Sequence, residues 1–121
     1  MKAAHVLVVD DEQPNIEILL RALQQRGHSG TGADSAEAAA SALSAAAYDL
    51  VLLDHVLPGV TGMQSLRRLG TLTKAPIYIM SGYTGDDTRA DALLLGAAGF
   101  LEKPLDIAGL LSILEALPDK P

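Results

Sequence analysis

Residues 50–62 read LVLLDHVLPGVTG. Leu50–Leu53 form an apolar run without a polar interruption, and the run ends at Asp54. A strand with one wet face alternates apolar and polar residues. A short unbroken run belongs to a strand covered on both faces, as in a parallel sheet. Pro58, Gly59 and Gly62 then mark a loop. Met63–Leu69 follows as a short helix with Leu66 and Leu69 inward.

The same unit recurs on either side. Upstream, Ala3–Val9 is an apolar, β-branched run that ends at Asp10 and Asp11. Pro14 suits the first turn of a helix, Ile16, Leu19, Leu20 and Leu23 have helical spacing, and Gly27 suits its C-cap. His28–Gly32, rich in Gly and Ser, makes a poor strand that belongs at a sheet edge if it pairs. Asp34 with Glu37 reads as a capping box for an alanine-rich helix reaching Ala47, whose one large apolar residue is Leu43. Downstream, Pro76–Met80 is a strand ending at Ser81-Gly82, and Asp86–Leu95 a helix closed by Gly96. Gly99–Glu102 is a short strand ending at Lys103-Pro104, and Asp106 caps a last helix, Ile107–Leu117. Strand and helix alternate five times with short connections. That order predicts an α/β, (βα)5, doubly wound five-stranded parallel sheet with helices on both faces.

Such sheets place their site beyond the carboxyl ends of the strands. The polar residues at those ends are Asp10 and Asp11, Asp54, Ser81 and Lys103. Three carboxylates at one rim repel one another unless a divalent cation sits among them. Hard oxygen donors without His or Cys select magnesium or a similar ion. A hydroxyl and an ammonium beside that ion suit the oxygens of a phosphoryl group. The residue types therefore predict metal-assisted phosphoryl transfer, with a carboxylate as a possible nucleophile. Each piece alone is ordinary: Asp-Asp a cap, Asp54 a loop acid, Ser81-Gly82 a turn, Lys103-Pro104 a turn with a solvated lysine. Their order, one at each strand end, carries the reading.

Composition sets the bounds. The 121 residues, 49% of them hydrophobic, are enough for one domain with a real core. Nine basic against fifteen acidic side chains give a net charge of −6, which disfavours unaided binding to DNA or anionic membranes. The chain has no Cys, so disulfides, Cys-based zinc sites and thiol nucleophiles are excluded. His5, His28 and His55 lack metal-ligand spacing. Asp10, Asp11, Glu12 and Glu17 are foreign to a signal peptide, and no apolar run approaches the ~20 residues of a membrane span. The expectation is a soluble, cytoplasmic single domain over 1–121, with 118–121 a tail or the start of a linker.

The sequence resembles the receiver domain of two-component response regulators over essentially its whole length. VLVVDDE (6–12) is similar to that family's first strand and acidic pair, and LVLLDHVLPGVTG to the block around its phosphoacceptor. PIYIMSGY (76–83) and GAAGFLEKPL (96–105) resemble its fourth and fifth strands. The resemblance implies a flavodoxin-like fold with strand order 2-1-3-4-5. It implies that Asp54 is the phosphoacceptor, with Ser81 and Lys103 binding phosphoryl oxygens and Gly82 leaving them room. Mg²⁺ would be held by Asp11 and Asp54, by Asp10 through water, and by the main-chain carbonyl of Val56. Phe100 takes the place of the switch aromatic, turning inward as Ser81 moves toward the phosphate, and the Lys103-Pro104 bond would be cis. Val56 and Tyr83 would border the approach of water to the phosphoryl group and, having no acid or amide, prolong its life.

Leu57 stands where the family usually has Met, and His55 is an unusual neighbour of the acceptor that reads as a solvent-facing loop residue. Many DNA-binding members dimerise through charged pairs on their last two helices. The last helix here lacks the basic residues for them, and its outer face is Ala108, Gly109, Ser112 and Ala116. That neutral face leaves room for a weak homodimer of another kind.

The implied partners are a histidine kinase or phosphotransfer protein and an output domain or downstream protein. Nucleic acid and membrane are not among them, and the domain is not an enzyme for outside substrates. One alternative is a receiver-like interaction module that is never phosphorylated, although no acid or Lys is missing. Another is a small phosphatase or mutase with an aspartyl nucleophile. Those enzymes carry a second Asp two residues on, where this chain has Val56.

Overall fold

The computed structural model describes residues 3–57, 59, 61–82, 86–103 and 105–117, with 62, 63 and 86–88 described by backbone alone. Strands and helices alternate without exception: β1 (His5–Val9), α1 (Gln13–Gln25), β2 (Ser29–Ala33), α2 (Ala36–Ala45), β3 (Leu50–Asp54), α3 (Gly62–Gly70), β4 (Ile77–Ser81), α4 (Asp86–Leu94), β5 (Gly99–Glu102) and α5 (Ile107–Ala116). All four strand pairings are parallel, in the order β2-β1-β3-β4-β5.

The unbroken apolar runs now have their explanation. Along β1, Leu7 and Val9 face one layer with α2, α3 and α4, while Val6 and Val8 face the other with α1 and α5. In β3, Val51 and Leu53 point to the first layer, and Leu50 and Leu52 to the second. Both faces of the central strands are dry, so both parities must be apolar. The first layer is closed by Ala39, Ala40, Leu43, Leu66 and Leu69, the second by Ile16, Leu19, Leu23, Leu110 and Leu114.

The weak strand is β2, and it does lie at the sheet edge. Its glycines let α1 approach closely: a Cβ on Gly30 would run into Leu20, and one on Gly32 into Ile16. Gly99 does the same for the Tyr78 ring. Below the edge, buried His28 accepts the Ala4 N–H on Nδ1 at 3.0 Å. His5 stacks on Tyr48 with ring centroids 4.3 Å apart.

One helix start differs from expectation. Ser35, not Asp34, caps α2, its hydroxyl accepting from the Ala38 N–H at 3.0 Å. The helix begins one residue later than the Asp34–Glu37 spacing requires, so Glu37 turns outward to a two-pronged ion pair with Arg68 of α3. The helix itself closes at Ala45 rather than Ala47. A capping box does exist, at Thr61 and Gln64 before α3. On α5, Leu110 and Leu114 face the core, while Ala108, Ser112, Glu115 and Ala116 are exposed. No helix among the described residues is long and apolar enough to cross a membrane.

Candidate functional site

Register brings the strand ends together. Val9 of β1 pairs with Leu53 of β3, so the next residues, Asp10 and Asp54, leave the sheet side by side. Asp54 pairs with Met80, and Ser81 with Glu102, which delivers Ser81 and Lys103 to the same rim. The Lys103 N–H donates to the Ser81 carbonyl at 2.8 Å and fixes the β5 exit against β4.

Lys103 is the hub. Its ammonium lies 3.1 Å from Asp54 Oδ1 and 3.3 Å from Asp10 Oδ2. The second contact spans 93 positions of sequence. Asp10 is 1% exposed and Asp54 5% exposed, so both carboxylates depend on protein partners. Asp10 also accepts from the Glu12 N–H at 2.9 Å and the Asn15 amide at 3.4 Å, and Asp54 from the Val56 N–H at 3.3 Å.

Charge balance follows from this packing. Burial pushes the Asp54 carboxyl above the ordinary aspartate range. Lys103 pulls it back by hydrogen bond and charge, Asp10 raises it again, the Val56 N–H lowers it, and the net direction is up. Burial alone would lower the Lys103 ammonium, but hydrogen bonds and charge from Asp54 and Asp10 outweigh it and raise the group. The lysine therefore stays cationic across the physiological range.

Asp10, Asp11 and Glu12 place one carboxylate oxygen each within 4.8 Å of one another. This hard, anionic, sulfur-free donor set fits a divalent cation of the magnesium or calcium type. Glu12 was not singled out in the sequence. Its signal was there, as a third acid directly after the pair, but it also passes for the residue before a helix. Asp54 is directed instead to Lys103.

Ser81 is buried at the end of β4, and a Cβ on Gly82 would meet nothing within 4 Å, leaving open space beside it. Val56 is exposed, its loop closed by a bridge to Thr61, and Leu57 is buried in the former Met position. His55 is half-buried rather than solvent-facing, and its N–H donates to the Met80 carbonyl. Phe100 is already inward at 8% exposure. Pro58, Tyr83 and Pro104 lie outside the described residues, and so do the cis bond and the tyrosine cover expected there.

A doubly wound parallel sheet with an acidic, lysine-bridged rim at the carboxyl ends of its strands defines the class of α/β domain. Comparison with known proteins narrows it: the family model for the response regulator receiver domain matches residues 6–115, and the chain belongs to that family. It is 36% identical over 113 residues to the response regulator protein FleR of Pseudomonas aeruginosa, covering 93% of this chain and 24% of FleR. It is 32% identical over 117 residues to the transcriptional regulatory protein YkoG of Bacillus subtilis, covering 96% and 51%. The chain thus spans about half of one relative and a quarter of the other. A two-component response regulator from Clostridium difficile superposes with a TM-score of 0.89 at 27% identity, with 93% of each chain covered. A response regulator from Burkholderia pseudomallei, solved with a phosphorylated aspartic acid, a calcium ion and citrate, gives 0.83 at 29% identity, covering 94% of this chain and 66% of that one. The domain is a response regulator receiver of two-component signalling, a family in which phosphorylation and magnesium binding are typical.

Proposed function

We propose that this domain accepts a phosphoryl group on Asp54 and shifts conformation in response. The donor is a histidine kinase or phosphotransfer protein. An Asp54 carboxylate oxygen forms the bond to phosphorus as the phosphorus–nitrogen bond of the donor imidazole breaks, and the electron pair returns to that nitrogen. The observation that carries the reading is the Lys103 ammonium set between Asp54 and Asp10, beside the Asp10, Asp11 and Glu12 carboxylates.

Each residue has a task. Lys103 neutralises one oxygen of the incoming phosphoryl group, moving from a carboxylate–carboxylate bridge to a phosphoryl contact. The Ser81 hydroxyl donates to another oxygen, in the space that Gly82 leaves open. Mg²⁺, held by Asp10, Asp11, Asp54 and the Val56 carbonyl, would offset the negative charge gathered at the rim. The Burkholderia relative, with its phosphorylated aspartic acid and calcium ion, supports both parts of the assignment.

The domain acts as a switch in a phosphorelay, not as an enzyme on outside substrates. The shift is read by an output domain or a downstream protein. A net charge of −6 supports a cytoplasmic module that reads protein surfaces rather than nucleic acid or membrane.

Incubation with acetyl phosphate and Mg²⁺, followed by intact mass, tests the reading. The wild type gains one phosphoryl group and Asp54→Asn gains none, because an amide oxygen is a far poorer nucleophile. No gain in the wild type, or stable gain at another residue in the variant, overturns it.

A further inference from the structure

Phe100 is the one phenylalanine of the chain. In β5 it pairs with Ile79 of β4, two positions before the Ser81–Glu102 pair. Its ring packs in the layer that holds Ala92 of α4 and Ala97. Both of these residues are small and buried.

The outer side of that ring has a specific partner. Arg89 of α4, one turn before fully buried Ala92, sets its guanidinium carbon 5.5 Å from the ring centroid. That lies within the roughly 6 Å reach of a cation–π contact. Among the described residues Arg89 makes no ion pair. The residue is exposed, which lets the head group stay hydrated while the stem covers apolar surface. A planar guanidinium can lie over a ring in a way an ammonium cannot.

We propose that Arg89 is a positioning residue for the switch, holding the Phe100 ring inward against β4 and tying it to α4. The inference rests on Phe100 being the aromatic that moves with Ser81. An outward ring must leave the guanidinium, so the contact biases the ring before any phosphoryl group arrives. A phosphoryl-driven pull on Ser81 then acts on a ring already set inward, and the change is passed to α4 through Arg89.

A partly exposed contact of this kind shifts the outward-to-inward ratio by about two- to five-fold. Phenylalanine labelled with ¹³C in the ring gives a single probe, because Phe100 has no other phenylalanine beside it in the chain. Saturation-transfer spectra of the unphosphorylated wild type, Arg89→Gln and Arg89→Lys read the minor outward population. The ratio rises about two- to five-fold in Arg89→Gln, with Arg89→Lys between the two. An equal ratio in all three proteins overturns the proposal. So does the absence of an outward population in both wild type and Arg89→Gln, since no equilibrium is then left to bias. The same samples, treated with acetyl phosphate and Mg²⁺ and weighed intact, keep the two readings apart. Failure to label Asp54 removes the proposed function, while the ring ratio still decides Arg89.

Discussion

Replacing Lys103 by Met keeps most of the stem and removes the charge that serves two buried carboxylates. At an effective dielectric near 20, unit charges 3.1 Å apart attract by about 5 kcal/mol, and the 3.3 Å pair by nearly as much. The net loss is smaller. The lysine side chain is 27% exposed, so part of its attraction is screened, and its own desolvation cost disappears with it. Breaking a buried pair from one side costs about 3–5 kcal/mol, and the exposure lowers the expectation here to about 2–4 kcal/mol. For a chain of this length that is on the order of 10 °C in Tm.

The loss must also depend on pH. The folded-state pKa of Asp54 is raised, chiefly by burial and further by Asp10. A raised carboxyl binds its proton more tightly in the folded state. Its contribution is favourable below the unfolded value, near 4, and is lost as pH rises through the folded value. Without Lys103 that folded value moves higher still. Urea melts of wild type and Lys103→Met, without divalent cations, should therefore differ most at neutral pH. The gap should narrow as pH falls toward the ordinary carboxylate range. Equal stability at neutral pH, or a gap that does not narrow on acidification, would refute the bridging role assigned to Lys103.

Other consequences are as direct. Mg²⁺ at a hundred times its Kd should stabilise the fold by about 2.7 kcal/mol, and Asp11→Asn should raise the metal-free melting temperature while shrinking that increment. A melting temperature indifferent to Mg²⁺ in the wild type counts against the cation site. Val56 is exposed beside the acceptor and its N–H is bonded to Asp54, so Val56→Asn should bring an amide to where water attacks. Loss of the phosphoryl group, followed by intact mass over time, should accelerate by up to about a hundredfold, and an unchanged decay would show that Val56 does not protect it. Gly99→Ala drives a methyl group into the Tyr78 ring and should cost about 1–3 kcal/mol by chemical denaturation. A neutral result would mean that the ring tilts freely.

How much of this was legible in the sequence depends on the range of the interaction. Strands β1, β3 and β4 announce themselves because two dry faces demand unbroken apolar runs, and the cost of exposing them is local to the run. Asp10, Asp54 and Ser81 follow as the first polar residues at or after those strands, Lys103 stands directly after the short β5, and parallel pairing sends every such residue to one rim. The weak edge strand β2 was legible as weak, since glycine strands do not choose their own geometry. Its place was decided by Ile16 and Leu20 of α1, which need the space that the glycines leave.

Tertiary structure alone decided the pairings. Ser35 caps α2 because the helix begins where its alanines reach the core, one residue beyond the local signal. Glu37 turned from a supposed cap to Arg68 on a different helix. Lys103 was legible as a rim residue suited to a phosphoryl oxygen, but only the register of β5 on β4 aims its ammonium between Asp54 and Asp10. Nothing local in the sequence marks Arg89; α4 packs on β5 so that its guanidinium carbon lies 5.5 Å from the Phe100 ring centroid. The period of a strand or helix is written in neighbouring residues. The partner of a long side chain is fixed only when two elements dock, because the direction of the Cα–Cβ bond and the distance to the other backbone are properties of the packed pair.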